Sequence, residues 1–206
     1  MSYSTIAFSE ATKKLQEKAG SRTNYARMDS QQSLDKLTEA EAVYIADRDS
    51  FYMATVGENG FPYIQFRGGP KGFLKVLDEK RLGFIDFRGN MQYISIGNLQ
   101  TNNKVGLILL DYPSKTRLKI FAEAQIVELK DEPQLFQKLN LADYKFRPER
   151  MLVLHVKAFN WNCPQHITPR YTLEEIEQAF QSDQNYILNL EEEVKILNAK
   201  LQVLVA

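Results

Sequence analysis

The sequence predicts a mainly β fold, in which six to seven antiparallel strands form a barrel that carries flanking helices and one long C-terminal helix. Short apolar segments, separated by turn residues, follow one another between residues 51 and 160, as in antiparallel barrels. Helical segments do not alternate regularly with them, which argues against a doubly wound parallel sheet. From Thr172 to Ala206, glycine and proline are absent and apolar residues recur every three or four positions, which indicates a long helix.

Composition limits the possible functions. The 206 residues are 44% hydrophobic and 25% charged, which suits one compact domain with appendages. Lys+Arg and Asp+Glu both number 26, so the net charge is zero, and a broad basic face for nucleic acid is not expected. No apolar run approaches the roughly 20 residues of a membrane span, and the N-terminus lacks a secretory signal. The single cysteine, Cys163, cannot form an internal disulfide, so we expect a cytoplasmic protein.

Residues 1–37 are expected to form an N-terminal appendage. Residues 9–19 have the pattern of a short amphipathic helix, with Ser9 as N-cap and Gly20 as stop. The polar stretch 21–33 is predicted to be a loop.

Residues 38–170 are predicted to form the barrel domain. Thr38 and Glu41 make a capping box that opens a helix. The strands FYMATV and FPYIQFR form a hairpin, because Asn59-Gly60 between them suits a positive φ. The later segments FLKVL, LGFIDF, KVGLILLD, RLKIFAEAQIVEL and MLVLHVKAF are predicted as strands, with helices at about 90–100 and in DEPQLFQKLN.

Residues 171–206 are predicted to form a coiled-coil helix that begins at a second capping box, Thr172 to Glu175. Nine of the ten seam positions are apolar, and Asp183 is the polar break. Pairing with another subunit through residues 173–204 is favoured over packing on the barrel, because the stripe is narrow and its flanks are charged. The seam consists of Leu173, Ile176, Phe180, Asp183, Ile187, Leu190, Val194, Leu197, Leu201 and Leu204.

Polar residues at strand ends suggest a phosphate site. Arg67 precedes Gly68-Gly69, where a guanidinium can bind phosphate while the backbone approaches closely. Gln65 should lie on the same side of the strand. A surface arginine and a solvent-facing glutamine remain alternatives, and for Lys71 an ordinary surface role is favoured.

The segment Arg88-Gly89-Asn90 ends a strand at a predicted helix start, where backbone amides attract phosphate. Asn90 is expected to be the N-cap. Asp86 would repel phosphate and is expected to face elsewhere.

Few residues suggest acid–base or nucleophilic chemistry. His155 lies in an apolar strand, and for His166 a structural role is favoured over substrate contact. Arg170 would bind a substrate anion or pair with Glu174, and the thiol of Cys163 is expected to be inert. The sequence contains no GxGxxG or GxxxxGK[ST] motif and no metal-ligand spacing.

Four segments resemble the FMN-binding split barrel of the pyridoxamine 5'-phosphate oxidase superfamily: PYIQFR, GFIDFRGNMQYISIGNL, TNNKV before LILLDYP, and WNCPQHI. The resemblance spans roughly residues 35–170 and implies a homodimer with FMN at the interface. It implies phosphate contacts from Arg67, Lys71, Arg88 and Asn90, beside Asp86 and Phe87, and flavin-ring contacts from Gln65, Phe66, Trp161 and Asn162. The phosphate loop departs from the family pattern, since the stretch from Asp86 onwards contains no Ser or Thr before Ser95.

The resemblance implies FMN-dependent redox chemistry on a small organic substrate or a nicotinamide nucleotide. Pyridoxamine phosphate oxidation itself is less expected, because QHITPRY retains only His166 and Arg170 of the family's basic substrate cluster. Two alternatives stay open: a flavin-binding or flavin-sensing module without turnover, and a member of the fold that binds haem or F420.

Overall fold

The computed structural model describes residues 2–31, 35–161 and 165–205. It divides into two compact units. The first consists of Met1–Asp111 with Lys115–His166, and the second of Tyr112–Ser114 with Ile167–Ala206.

The first unit is built on one seven-stranded, entirely antiparallel sheet with the strand order β2-β1-β5-β6-β7-β4-β3. The predicted mainly β fold with flanking helices is therefore confirmed. The strands are β1 Ser50–Val56, β2 Pro62–Gly68, β3 Lys75–Asp78, β4 Arg81–Phe87, β5 Lys104–Asp111, β6 Thr116–Val127 and β7 Pro148–Trp161.

The sheet is curled, so that strands far apart in its order pack against each other. Phe51 of β1 lies edge-on to Phe84 of β4, with ring centroids 5.4 Å apart, although three strands separate them in the sheet. The register of β6 on β7 shifts between Phe121 and Ala122, and such a bulge bends a strand. Within the described residues the two edge strands, β2 and β3, do not pair with each other, so the barrel is not closed and has the form of a split barrel.

The core lies inside the curl and is filled by alternate residues of the strands. Phe51 and Met53 of β1, Leu109 of β5 and Leu118 of β6 are almost completely buried, as period-two alternation requires. β4 differs, since all residues from 82 to 86 are buried. Its second face is covered by a smaller apolar cluster that includes Leu139. Burial on both faces explains why LGFIDF is nearly continuously apolar.

The described residues of the first unit form six helices besides the sheet, and two of their predicted caps are confirmed. Ser9 accepts a hydrogen bond of 3.2 Å from the Thr12 amide, and Glu41 accepts one of 2.9 Å from the Thr38 amide. The helices are α1 Tyr3–Ala7, α2 Glu10–Lys18, α3 Arg22–Gln31, α4 Glu39–Ala46, α5 Ile94–Thr101 and α6 Pro133–Leu139.

The loop predicted over residues 21–33 is wrong, because α3 occupies Arg22–Gln31. The stretch is polar but contains no Gly or Pro to break a helix. Arg22 donates a 3.1 Å hydrogen bond to Gln16 of α2, and Tyr25 packs edge-on against Phe8 at 5.5 Å. These tertiary contacts stabilise a helix that its weak periodicity does not reveal.

In the second unit, the predicted long C-terminal helix is confirmed as α7, Leu173–Val205. Its capping box forms as expected: the Thr172 amide donates to Glu175 at 2.7 Å, and the Glu175 amide donates to Thr172 at 3.2 Å. Pairing of α7 in a coiled coil stays a prediction. None of the helices that the structure describes is both long and apolar enough to cross a membrane.

Candidate cofactor site

A cavity of about 230 Å³ lies between β2, β4 and the loop that leads into α5. It brings together five residues predicted from the sequence: Gln65, Arg67, Asp86, Phe87 and Asn90. The remaining lining residues are Tyr63, Gly89, Met91, Gln92, Tyr93, Ile94, Ser95, Ile96 and Glu149.

An ion-pair network forms one wall of this cavity. Arg67 of β2 pairs with Asp86 of β4, and the other Asp86 oxygen accepts a 3.0 Å hydrogen bond from Arg150 of β7. The side chains of Arg67 and Asp86 are only 10% and 6% exposed. Because β2 is an edge strand and β4 lies near the opposite edge, the Arg67–Asp86 pair joins the two ends of the curled sheet.

The expectation that Asp86 faces away from the site is wrong. Asp86 is among the residues that line the cavity, and its charge is matched by Arg67 and Arg150. A neutralised carboxylate repels a nearby phosphate much less than an unpaired one. Asp86 therefore acts in this structure as an anchor for two guanidinium groups.

Arg67 also carries an unused donor. Its Nε atom is buried and has no hydrogen-bond partner among the described residues. Buried N–H groups nearly always find an acceptor, and Arg67 lines the cavity. This arrangement suits an acceptor-rich ligand beside β2.

Residues of the loop before α5 line the same cavity. The predicted helix start at Asn90 is wrong: α5 begins at Ile94, after Tyr93 in a left-handed conformation with φ of 53°. Asn90 instead accepts a 3.1 Å hydrogen bond from the Gln92 amide, a local turn that competes with helix formation. The N-cap residue of α5, Tyr93, makes no side-chain capping bond in the described part of the chain, and the first-turn residues Ile94 to Ile96 line the cavity. The partial positive charge of this helix start favours an anion.

A hydrogen bond between Ser95 and Gln65 fixes the second wall. Gln65 lies on the same side of β2 as Arg67, as strand alternation predicts. The buried Ser95 hydroxyl donates to Gln65 Oε1 at 2.7 Å. Because the oxygen is engaged, the NH₂ group of Gln65 is left as a donor for a ligand.

Several residues at this site, among them Ser95, Tyr93, Glu149 and Arg150, were missed from the sequence. The Tyr93 hydroxyl donates to Glu149 at 2.9 Å, and the Arg150 guanidinium lies 5.1 Å from the centre of the Tyr93 ring. The register of β7 on β4 places Arg150 opposite Asp86, and Glu149 therefore also lies beside the site. The available signal was the polar start of an otherwise apolar final strand, Pro148-Glu149-Arg150.

Arg88 lies at the rim of the site. Its side chain is 45% exposed, and its Nε is 3.9 Å from Glu149. Together Arg67, Arg88 and Arg150 outnumber Asp86 and Glu149 by one positive charge. The network therefore has a small positive excess for an anionic group.

Two predicted residues lie apart from the main cavity. Phe66 points to the opposite face of β2, is 58% exposed and packs edge-on against Tyr52 at 5.5 Å. It lines a neighbouring cavity of about 130 Å³ that shares Arg67. Lys71 pairs with Asp47 at 3.1 Å and lines neither cavity.

Trp161 is anchored on α4 in this chain. Its Nε1 donates to Glu41 at 2.8 Å, and its ring is edge-on to Tyr44 at 4.7 Å. Burial raises the pKa of Glu41, but hydrogen bonds from Thr38 and Trp161 outweigh it and hold the pKa below the ordinary value of 4.5. The Glu41 carboxylate thus joins the helix cap to the end of β7.

The remaining predicted residues do not form a cluster with these. His166 is exposed and has a left-handed backbone, with φ of 64°. In the second unit, the Arg170 guanidinium lies 4.9 Å from the centre of the Tyr112 ring. Asn162 and Cys163 lie outside the described residues.

Comparison with known families identifies the fold of the first unit. The sequence model of the family described as pyridoxamine 5'-phosphate oxidase matches residues 37–161, which is more than half of the chain. The chain belongs to this family. The match contains every strand of the sheet and all the residues that line the cavity, so it confirms the resemblance to the superfamily.

Similar solved structures include a Lactobacillus delbrueckii protein provisionally described as a pyridoxamine 5'-phosphate oxidase, 26% identical, with 62% of this chain and 96% of that chain covered and a TM-score of 0.48. An FMN-binding protein of Syntrophomonas wolfei is 15% identical; the match covers 71% of this chain and 97% of that chain, with a TM-score of 0.49. HupZ of Group A Streptococcus is 15% identical, with 66% and 100% covered and a TM-score of 0.47. A search of curated proteins found no match.

Proposed function

We propose that this protein binds FMN and uses it as an oxidoreductase acting on a small organic substrate. The main support for the proposal is Arg67, whose buried Nε–H has no partner in the described structure. Arg67 lines a cavity that also includes the start of α5, where the described residues provide no side-chain cap. That combination suits a phosphate group, and it lies inside the family match.

The phosphate end of FMN fits the residues on one side of the cavity. Arg67 contributes a guanidinium group whose buried Nε–H has no partner among the described residues, and the first-turn amides of α5 contribute a positive helix end. Asn90 lines the same side, and Arg88 at the rim adds positive charge without being buried. Lys71 is assigned at most an outer electrostatic role, because Asp47 already pairs with it.

The ring end fits Gln65. Ser95 holds the Gln65 amide so that its NH₂ group remains a donor, which suits the carbonyl and nitrogen acceptors along the polar edge of an isoalloxazine. Phe66, Trp161 and Asn162 are assigned to ring contacts across a subunit interface, as the family resemblance implies.

The size of the cavity favours a second copy of the chain. At about 230 Å³ it is smaller than the roughly 300–1,000 Å³ of most cofactor sites, so one chain supplies only part of the wall. Tyr52 and Phe66, opposite each other in the β1–β2 pair, and Ile64 form an exposed apolar patch nearby. Such patches mark interfaces, and we assign this one to a homodimer with FMN between its subunits.

Bound FMN supplies two-electron transfer chemistry. The protein residues bind the phosphate, orient the ring through Gln65 and exclude water with the partner's surface. We assign His166 and Arg170 to contacts with the substrate, which is a small organic molecule, with a nicotinamide nucleotide as a candidate electron donor. A cytoplasmic location is part of the proposal, since such nucleotides are available there.

Titration of the apoprotein with FMN, followed by flavin fluorescence, tests the binding site. Arg67→Gln should weaken binding at least 10-fold, about 1.4 kcal/mol, because it removes a charge-assisted phosphate contact. Lys71→Gln is the matched control and should change the affinity less than threefold. Equal affinities for the two variants would overturn the assignment of Arg67.

Because Arg67 also stabilises the sheet, a second variant keeps the test independent of folding. Ser95→Ala leaves the Arg67–Asp86 pair intact and should still weaken FMN binding by releasing Gln65. Turnover is tested separately by steady-state NAD(P)H oxidation by the FMN-loaded protein. FMN binding without oxidation of any donor would replace the oxidoreductase by a flavin-binding module.

A further inference from the structure

The second half of α7 carries a regular heptad pattern. Over residues 187–201, the first core positions of the heptads are Ile187, Val194 and Leu201, and the second core positions are Leu190 and Leu197. β-Branched residues at the first position combined with leucine at the second favour two parallel strands over three or four. Two of the three first positions are β-branched, and both second positions are leucine.

These side chains need a partner. In the chain by itself, Ile187, Leu190, Val194, Leu197 and Leu201 are 54%, 40%, 55%, 54% and 63% exposed. An apolar stripe of this kind on a helix is stable in water when another helix covers it. Leu188 and Ile196 are also exposed, at 61% and 48%, but they lie at the second and third heptad positions and so outside the stripe that a single facing helix would cover.

Asp183 determines where pairing begins. It occupies the second core position of the preceding heptad. In a parallel, in-register pair each Asp183 would meet its own copy, and two carboxylates brought together in an apolar seam repel each other. The regular apolar seam therefore starts one turn later, at Ile187.

The flanking residues accept the parallel arrangement. In parallel pairs the last position of one heptad faces the fifth position of the next heptad on the partner. This places Glu193 opposite the partner's Asn198, and Tyr186 opposite the partner's Glu191. Neither contact joins like charges.

We infer that the helical tails of two copies pair as a parallel, in-register, two-stranded coiled coil over residues 187–201. This pairing is an interaction surface of α7 itself and does not depend on bound FMN. The tail thereby holds two chains side by side with their C-termini at the same end.

Disulfide cross-linking of the full-length protein tests the orientation. In a Cys163→Ser background, Leu190→Cys and Leu201→Cys are made separately, oxidised and run on a non-reducing gel. Parallel, in-register pairing brings each new cysteine close to its own copy, within disulfide range, so both variants should give a two-chain product. Glu192→Cys, on the outer face of the helix, is the matched control and should remain largely monomeric on the gel.

The alternatives give different results. One antiparallel register can bring only one of the two positions next to its own copy, so a product from one variant alone would overturn the parallel assignment. Cross-linking no stronger than in the control would overturn pairing altogether. A native mass of three chains, each 23.8 kDa, by light scattering would overturn the two-stranded assignment, whereas a mass of two chains would support it. FMN titration of the reduced variants separates this result from the proposed function, since unchanged affinity is expected.

Discussion

The replacement of Asp86 by asparagine tests how the split barrel is held together. In the described structure, the Asp86 carboxylate forms ion pairs with both Arg67 and Arg150, one on each oxygen. The side chains of Arg67 and Arg150 are 10% and 16% exposed. Asparagine keeps the shape of the side chain but removes the charge, so the buried Arg67 loses its carboxylate partner, whereas Arg150 keeps Glu149 at 3.3 Å.

The expected cost follows from this burial. Removing one partner from a buried ion pair costs about 3–5 kcal/mol, and the amide oxygen of asparagine can keep one hydrogen bond, which favours the lower end. For a chain of this length, each kcal/mol corresponds to about 2–4 °C in the melting temperature. We therefore expect Asp86→Asn to lower the melting temperature by about 6–12 °C, from about 3 kcal/mol multiplied by that range.

Asp78→Asn is the matched control. Asp78 pairs with Arg81 at 2.6 Å, but these side chains are 40% and 50% exposed, and exposed pairs contribute about 0–1 kcal/mol. Melting is followed by far-ultraviolet circular dichroism, with urea titration to obtain the free energy of unfolding. If both variants lose the same stability, or if Asp86→Asn loses less than about 1 kcal/mol, the pair does not join the ends of the sheet as described.

Three further predictions concern the site and its surroundings. Ser95→Ala removes one hydrogen bond, about 0.5–1.5 kcal/mol, so we expect FMN affinity to fall about 2- to 12-fold by equilibrium dialysis, and an unchanged affinity would contradict the role given to this serine. Arg88→Ala should weaken FMN binding more than Lys71→Ala in a fluorescence titration, since only Arg88 borders the charged network; equal effects would contradict this ranking. Folding lowers the pKa of Glu41 below its ordinary value of 4.5. The hydrogen bond from the single tryptophan, Trp161, to the Glu41 carboxylate should therefore stabilise the protein fully above pH 4.5. This stabilisation should be lost as the pH falls through the lowered pKa of Glu41 in the folded protein. Trp161 emission in Glu41→Gln should lack this acid transition, and its persistence there would assign the transition to another group.

Local signals in the sequence were sufficient for most of the sheet and for the ends of several helices. Asn59-Gly60 marks a hairpin because only some residues adopt the positive φ that Gly60 has, 78°. The capping boxes at Thr38 and Thr172 mark helix starts because their partners lie three residues away. Each of these features depends on neighbours in the sequence, which a single chain displays directly.

Features that depend on distant contacts were less accessible. The helix α3 is stabilised by Arg22 and Tyr25 packing onto earlier residues, and its own pattern is too polar to show it. The delayed start of α5 follows from the turn at Asn90 and the left-handed Tyr93. Asn90 was assigned as a cap because asparagine suits both roles.

In the candidate site, too, the residues placed by local strand alternation were predicted, and those placed by the pairing of distant strands were not. Arg67 and Gln65 were predicted because strand alternation places them on one face. Glu149 and Arg150 were missed because only the register of β7 on β4 brings them to Asp86. The sign of the local charge was therefore not predictable, since the carboxylate of Asp86 looked unpaired until Arg150 was placed beside it.

The most direct test of the central claim is the visible absorption spectrum of the purified full-length protein, with mass spectrometry of the chromophore released on denaturation. The proposed function predicts a flavin spectrum and an FMN mass at about one per chain, restored by adding FMN to the apoprotein. A colourless protein that does not take up added FMN, or a released haem or F420, would contradict the claim that the Arg67 cavity is a site for FMN.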